Sequence, residues 1–253
     1  MPLAQLLEVV KKLGSPEDRA AIVAYGPTLC PASQYIQRDL DFRIIQISDC
    51  AVISSEVSPA GVINLVHHCW GAVIRLLQSG LMCRGYITRG LIFHTDTQVI
   101  GSGYQRAYEA EHQVAAFKRQ ADERGTPFVE VDRPVCDYVA QSGDGCVKEM
   151  FASHVKDDGA AVALFPFQKL SHSFIVGGFG STFDADRERQ SNDNMRQSLQ
   201  TLKERVASFV DRSNASAVSK AEHYLTALDE QLRVCDKVDE AIRLLTSSYP
   251  SSR

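Results

Sequence analysis

Apolar residues recur along this chain with two different periods, and a turn residue stands wherever the period changes. Residues 2–13 repeat at helical spacing through Leu3, Leu6, Leu7, Val9 and Val10, and Ser15-Pro16 with the acidic pair after it starts a second helix. The stretch FRIIQISDCAVIS (residues 42–54) predicts two strands meeting near Asp49. Ser58-Pro59 opens a long helix whose apolar face runs from Val62 through Ile63, Val66, Val73 and Leu77 and ends at Gly80. LMCRGYITRGLIFH follows as a β-rich run, then TQVIGSG leads into a helix YQRAYEAEHQVAAFKRQADERG closed by Gly125, and TPFVEVD is a short strand. Beyond residue 134 the pattern weakens: turns at Asp157-Asp158-Gly159 and Gly177-Gly178 flank short strands in ALFPF and HSFIV. From Asn192 the chain reads as two helices suited to packing or dimerisation. Strands and helices in this order predict an α+β domain over residues 1–190, with helices on one side of a sheet, and a helical C-terminal extension over 191–253.

Asp49 stands out within this pattern. It is the one carboxylate in an otherwise apolar run, and an ionised carboxylate in apolar surroundings costs several kcal/mol unless it is paired or binds a metal. Two readings follow: a solvated turn residue, since Ser-Asp is ordinary turn chemistry, or a metal ligand at the tip of a hairpin.

Bulk properties narrow the classes. A chain of 253 residues with 44% hydrophobic and 23% charged residues has the composition of an ordinary globular protein. Its net charge of -4 argues against a nucleic-acid binder, although a local basic patch is compatible with it. No stretch predicts a membrane span, and the amphipathic N-terminus lacks a signal-peptide core, so the expected location is the cytoplasm. The seven cysteines are scattered without a CxxC pair, as expected for thiols in a reducing compartment. His67, His68 and Cys69 follow one another on a helix and so point in different directions, which disfavours a metal site there.

Three groups of residues share an order with a known family. They are the hairpin Ile47-Ser48-Asp49, the run Cys83-Arg84-Gly85-Tyr86-Ile87-Thr88-Arg89-Gly90, and Ile100-Gly101 before Ala107-Tyr108-Glu109-Ala110-Glu111. Over residues 1–133 the chain resembles the class III nucleotidyl cyclases, and within them the pyrimidine nucleotide cyclases of bacterial Pycsar anti-phage signalling. The resemblance implies a ferredoxin-like core and a homodimer with active sites between subunits. It implies attack of a nucleoside triphosphate's 3′-hydroxyl on its own α-phosphate, with release of pyrophosphate. The product, cUMP from UTP or cCMP from CTP, would act on a separate effector. Divalent ions, manganese or else magnesium, would neutralise charge in such a reaction, with Asp49 as a ligand.

The same resemblance assigns roles to further positions. Ile45 and Gln98 stand where purine cyclases carry a base-reading Lys and Asp, which argues against ATP and GTP. Gln105 stands for a catalytic Asn. Glu109 stands for a transition-state Arg, with Arg106 or Arg84 as the substitute cation, and Tyr104 could narrow the pocket. Arg84 and Arg89 have an odd separation, which sends them to opposite faces of a regular strand. The family's opening strand, which carries a second metal carboxylate, is not seen in the chain, and Asp39 and Asp41 read as solvated loop residues. The alternative is a non-catalytic cyclase-fold module that binds a nucleotide or a partner chain. An RNA-binding sheet is disfavoured by the charge balance and by the lack of paired exposed aromatics in the strands.

Overall fold

The computed structural model describes residues 40–165 and 184–248, which fall in two units, residues 1–166 and 167–253. The helices expected over residues 2–26 and the HSFIV strand lie outside the described residues. The first unit mixes helices with small sheets, and its class is α+β.

Strands β1 (Arg43–Ile47) and β2 (Cys50–Ser54) form the expected hairpin, in register from Arg43 opposite Ser54 to Ile47 opposite Cys50. Its two-residue loop is Ser48-Asp49. Ser48 has φ 58°, the positive first position that a II′-type turn needs, and the Gln46 amide donates to the Ser48 carbonyl at 2.9 Å. Ile44 and Ile53 lie directly opposite one another; Ile44 packs on Ala72 of helix α1 (Pro59–Gln78), and Ile53 on the cluster of Leu40, Phe42 and the helix residue Ala60. Period-two alternation then turns Ile45 and its partner Val52 to the other face.

Helix α1 starts and stops where its sequence signals it. Ser58 accepts from the Gly61 N–H at 3.0 Å, Pro59 occupies the first turn, and Gly80 follows the end at φ 82°. The helix has an 18-residue window of mean hydropathy 1.3, long and apolar enough to be compared with a membrane span, contrary to the sequence-level expectation. Ile63, Val66, Val73 and Leu77 are nonetheless buried, and the helix packs on α4 (Gly145–Ala152) and β8 (Val162–Leu164).

Among the described residues the strands form three small sheets where a single one is expected. Besides the hairpin there is a four-stranded sheet in the order β3 (Gly85–Ile87), β6 (Val129–Val131), β8, β7 (Val155–Asp157), with β3 and β6 parallel and the other pairs antiparallel. A two-stranded ribbon joins β4 (Phe93–His94) to β5 (Val99–Ile100). Helix α3 (Arg133–Gln141) follows β6.

The helix expected up to Gly125 ends early. Helix α2 covers Ser102–Glu111; Gln113 and Val114 still bond back to Ala110 and Glu111, but the amides of Ala115 to Phe117 go to carboxylates on other elements. Glu130 accepts from the Ala115 and Ala116 N–H groups at 3.0 and 3.2 Å, and Asp158 accepts from the Phe117 N–H at 2.6 Å. The Gly125 and Thr126 N–H groups both bond the Val114 carbonyl, and Phe117 takes φ 54°. Val114 and Ala116, at 0% exposure, fill the core from this irregular segment, so burial overrides helix propensity here.

In the second unit α5 (Ala185–Phe209) and α6 (Ala215–Ser248) run antiparallel, with α5 starting earlier than the expected Asn192. Ala221, Tyr224, Leu228, Gln231, Cys235, Val238 and Ile242 are buried on α6 at the alternating three-four spacing of a coiled-coil seam, with His223 and Ala227 buried beside it. Leu199, Leu202 and Val206 face it from α5. Asn192 donates to the Cys235 carbonyl at 2.9 Å and to Asp239 at 2.6 Å, and Arg196 pairs with Asp236 and Asp239.

Candidate functional site

The chemistry-bearing residues gather where α2 lies against the strand ends. Helix α2 can approach so closely because glycines face each other. A Cβ on Gly90 would stand 2.7 Å from the Gly103 Cα, and one on Gly101 would stand 2.3 Å from the Leu91 carbonyl oxygen. Gly101 itself has φ 145° and ψ 164°, a conformation that side chains other than hydrogen rarely adopt. The Gly103 N–H donates to the Leu91 carbonyl at 3.0 Å, which ties the helix start to the Arg89-Gly90-Leu91 loop.

At the far end of α2, Glu111 forms an ion pair with Arg84, just before β3. The Arg84 guanidinium also bonds His112 Nδ1 at 3.2 Å and lies against Gly125, where a Cβ would come within 2.8 Å of it. Glu111 is close enough to the hairpin to act on Cys50: burial, then the charges of Glu111 and Asp49, push the Cys50 thiol above its ordinary range. Asp49 is exposed in the turn and makes no hydrogen bond or ion pair among the described residues. At an exposed turn a carboxylate keeps its hydration, so this placement avoids the desolvation cost of a buried charge.

The second cluster centres on Asp132, the residue immediately after β6. It occupies the N-cap position of α3, yet its carboxylate does not cap the helix. One oxygen accepts from the Tyr86 hydroxyl at 3.1 Å and the other from Thr88 Oγ1 at 2.5 Å. Arg106 Nη1 lies 4.0 Å from Asp132 and donates to the Arg89 carbonyl at 3.3 Å, while the Arg89 guanidinium sits 5.0 Å above the Tyr138 ring. Burial, and then the Asp132 carboxylate, raise the Tyr86 phenol well above its usual range, with Arg106 opposing.

Other sequence-designated residues are dispersed. Gln105 is exposed on α2, and the half-buried Tyr104 ring lies 6.2 Å from that of Tyr108. Glu109 is exposed on the same helix. Gln98 is exposed at the end of the ribbon turn, where its carbonyl accepts from the Thr95 N–H at 2.8 Å, and no hydrogen bond among the described residues joins it to Ile45. The hairpin and the ribbon meet instead through Ser54 Oγ and His94 Nδ1, 2.7 Å apart. His94 is buried, and its Nε2 has no hydrogen-bond partner among the described residues. Burial and then the Arg43 charge hold its pKa below the usual value, against the opposing charges of Asp41 and Asp96.

The His67-His68-Cys69 run diverges as expected from a helix. His67 Nδ1 meets His154 Nε2 at 2.8 Å, whereas His68 packs edge-on to Phe42. Burial pushes the Cys69 and Cys83 thiols up to about 12, so both stay protonated. Five described cysteines are free, and Cys146 is disulfide-bonded, which departs from the expectation of reduced thiols.

No protein-family model, no curated protein and no solved structure matches this chain. A functional assignment therefore rests on the residues themselves. For the divalent ions implied by the resemblance, no group of three or more His, Cys, Asp or Glu among the described residues is arranged to hold a metal. Glu111, which acts on Cys50 next to the Asp49 tip, is engaged by Arg84 and His112. The described residues hold no preformed two-ion centre.

Proposed function

We propose that this chain is a pyrimidine nucleotide cyclase, converting UTP to cUMP and pyrophosphate, with CTP to cCMP as the variant within the same chemistry. The observation that carries the reading is the joining of its three motifs. The Gly-led helix with Gln105 and Arg106 is held against the Arg84-Gly85 segment by Glu111 and by the Gly90–Gly103 contact, and Glu111 and the Asp49 tip both act on Cys50 of the hairpin. Gln105 and Arg106 are exposed, one able to bond a ribose or phosphate oxygen and the other to offset charge developing at phosphorus. Ile45 offers no hydrogen bond to a purine edge, which disfavours ATP and GTP by ~100-fold or more where a polar match is missing. The proposed enzyme works as a cytoplasmic homodimer, and its cyclic product switches a separate antiviral effector.

One observation favours a non-catalytic, nucleotide-binding module of the same fold. Arg84 is neutralised internally by Glu111, and Glu109 puts a carboxylate where the resembling enzymes use a cation. Incubation with each of the four triphosphates and manganese, with products identified by mass, separates the two readings. Cyclic UMP or CMP supports the enzyme, equal turnover of ATP removes the base selectivity, and binding of UTP without pyrophosphate release supports the module. Asp49→Asn should abolish turnover with the fold intact; retained turnover leaves Asp49 a turn residue only.

A further inference from the structure

We propose that Arg89 and Arg106 form a binding site for the polyphosphate chain of a nucleotide, at the carboxyl edge of the parallel β3–β6 pair. The inference deepens the cyclase reading, and the nucleotide identity of its ligand rests on that reading. Parallel neighbours end side by side: Ile87 is opposite Val131, and the Asp132 N–H donates to the Ile87 carbonyl at 2.8 Å. The carboxyl ends of parallel strands are where open α/β sheets hold their ligands.

At this edge Asp132 acts as an anchor rather than a cap. With a hydroxyl on each oxygen and its side chain only 15% exposed, the carboxylate has a fixed orientation and ties β3 to the start of α3. Arg106 approaches it at 4.0 Å, near enough to be held electrostatically and too far to spend an N–H on it. The one hydrogen bond of Arg106 goes to the Arg89 carbonyl, so its remaining guanidinium donors have no protein partner among the described residues. Arg89 rests on the Tyr138 face, a contact that orients the guanidinium without using a donor. Both guanidinium groups thus keep N–H donors that no partner among the described residues uses, Arg106 beside the Asp132 carboxylate and Arg89 on the Tyr138 ring of α3. Planar guanidinium groups with free donors match phosphate oxygens.

The site is tested by calorimetric titration of the full chain with inorganic triphosphate and, separately, with UTP. Arg89→Gln and Arg106→Gln change exposed side chains and leave the fold intact. Each should weaken binding of both ligands about tenfold, as expected for loss of a charge-assisted hydrogen bond. Arg133→Gln, an exposed change on α3, should bind as the wild type does. Inorganic triphosphate that fails to bind the wild type, or binds either variant as tightly as the wild type, overturns the proposal. Arginine-dependent triphosphate binding without any cyclic product leaves the site standing and removes the cyclase reading. Cyclic product together with unaltered triphosphate binding in both variants does the reverse.

Discussion

Replacing Gly101 by alanine should be among the most damaging single-methyl changes in the first unit. The backbone at this position has φ 145° and ψ 164°, a region that is essentially reserved for glycine, and holding another residue there costs about 1–3 kcal/mol. The added Cβ would also stand 2.3 Å from the Leu91 carbonyl oxygen and 2.8 Å from the Ile92 Cα. Both are backbone atoms of the loop that receives the Gly103 N–H, so relief requires the loop and helix to part, at a further cost of about 1–3 kcal/mol. The sum, about 2–6 kcal/mol, is a large share of the roughly 5–15 kcal/mol that stabilises a domain. Urea unfolding followed by the fluorescence of Trp70, the single tryptophan of the chain, reads this unit. Gly71→Ala is the matched control: Gly71 lies inside α1, and nothing stands within 4 Å of its Cβ. It should stabilise by about 0.5–1 kcal/mol through helix propensity. A Gly101→Ala midpoint within error of the wild type would refute the close-approach account of how α2 is seated.

Three further outcomes follow. Because burial and Arg43 depress the His94 pKa, the unfolded chain takes up that proton first; stability is full above about 6.5 and falls as pH drops below it. Urea midpoints at pH 7.5 and 5.5 should therefore differ less in His94→Gln than in the wild type, and equal differences would count against the buried neutral imidazole. Leu228→Ala empties a fully buried seam position and should cost about 2–5 kcal/mol in a thermal melt followed by helical circular dichroism, whereas Leu225→Ala, half-buried beside the seam, should cost less. Asp158 accepts three backbone N–H groups, from Phe117, Ala160 and Ala161, which hold its pKa below the ordinary value against the effect of burial. Its contribution is present above about pH 4 and lost as pH falls through the depressed value, so proteolysis of the 112–125 loop should accelerate in acid and become less acid-sensitive in Asp158→Asn.

What could be read from the sequence was mostly local. Ser58-Pro59 and Gly80 bracket α1 because capping and positive φ are properties of single residues. The hairpin was legible because a run of β-branched residues broken by Ser-Asp permits few other folds. The early end of α2 was not legible, since the competitors for its amide groups, Glu130 and Asp158, lie many residues downstream. Asp132 falls at the end of the expected strand TPFVEVD, and nothing local reveals that the hydroxyls of Tyr86 and Thr88 capture its carboxylate. Arg84 was legible as a cation but not as the partner of Glu111, because only the seating of α2 brings them together. His94 gave no signal at all in a stretch that reads simply as strand.

The polar bonds of the helical hairpin have a consequence for how that unit can vary. An apolar seam alone would permit one helix to slide along the other by a whole heptad with little loss. Asn192 forbids this, since its amide reaches the Cys235 carbonyl and Asp239 in only one alignment. The hairpin is therefore locked in phase, and its 34-residue arm, about 51 Å long at 1.5 Å per residue, moves as a single stiff piece. Chain length in α6 becomes quantised: removing one residue above the Asn192 contact turns Leu228 and Tyr224 roughly 100° away from α5, while removing seven restores the seam one repeat shorter.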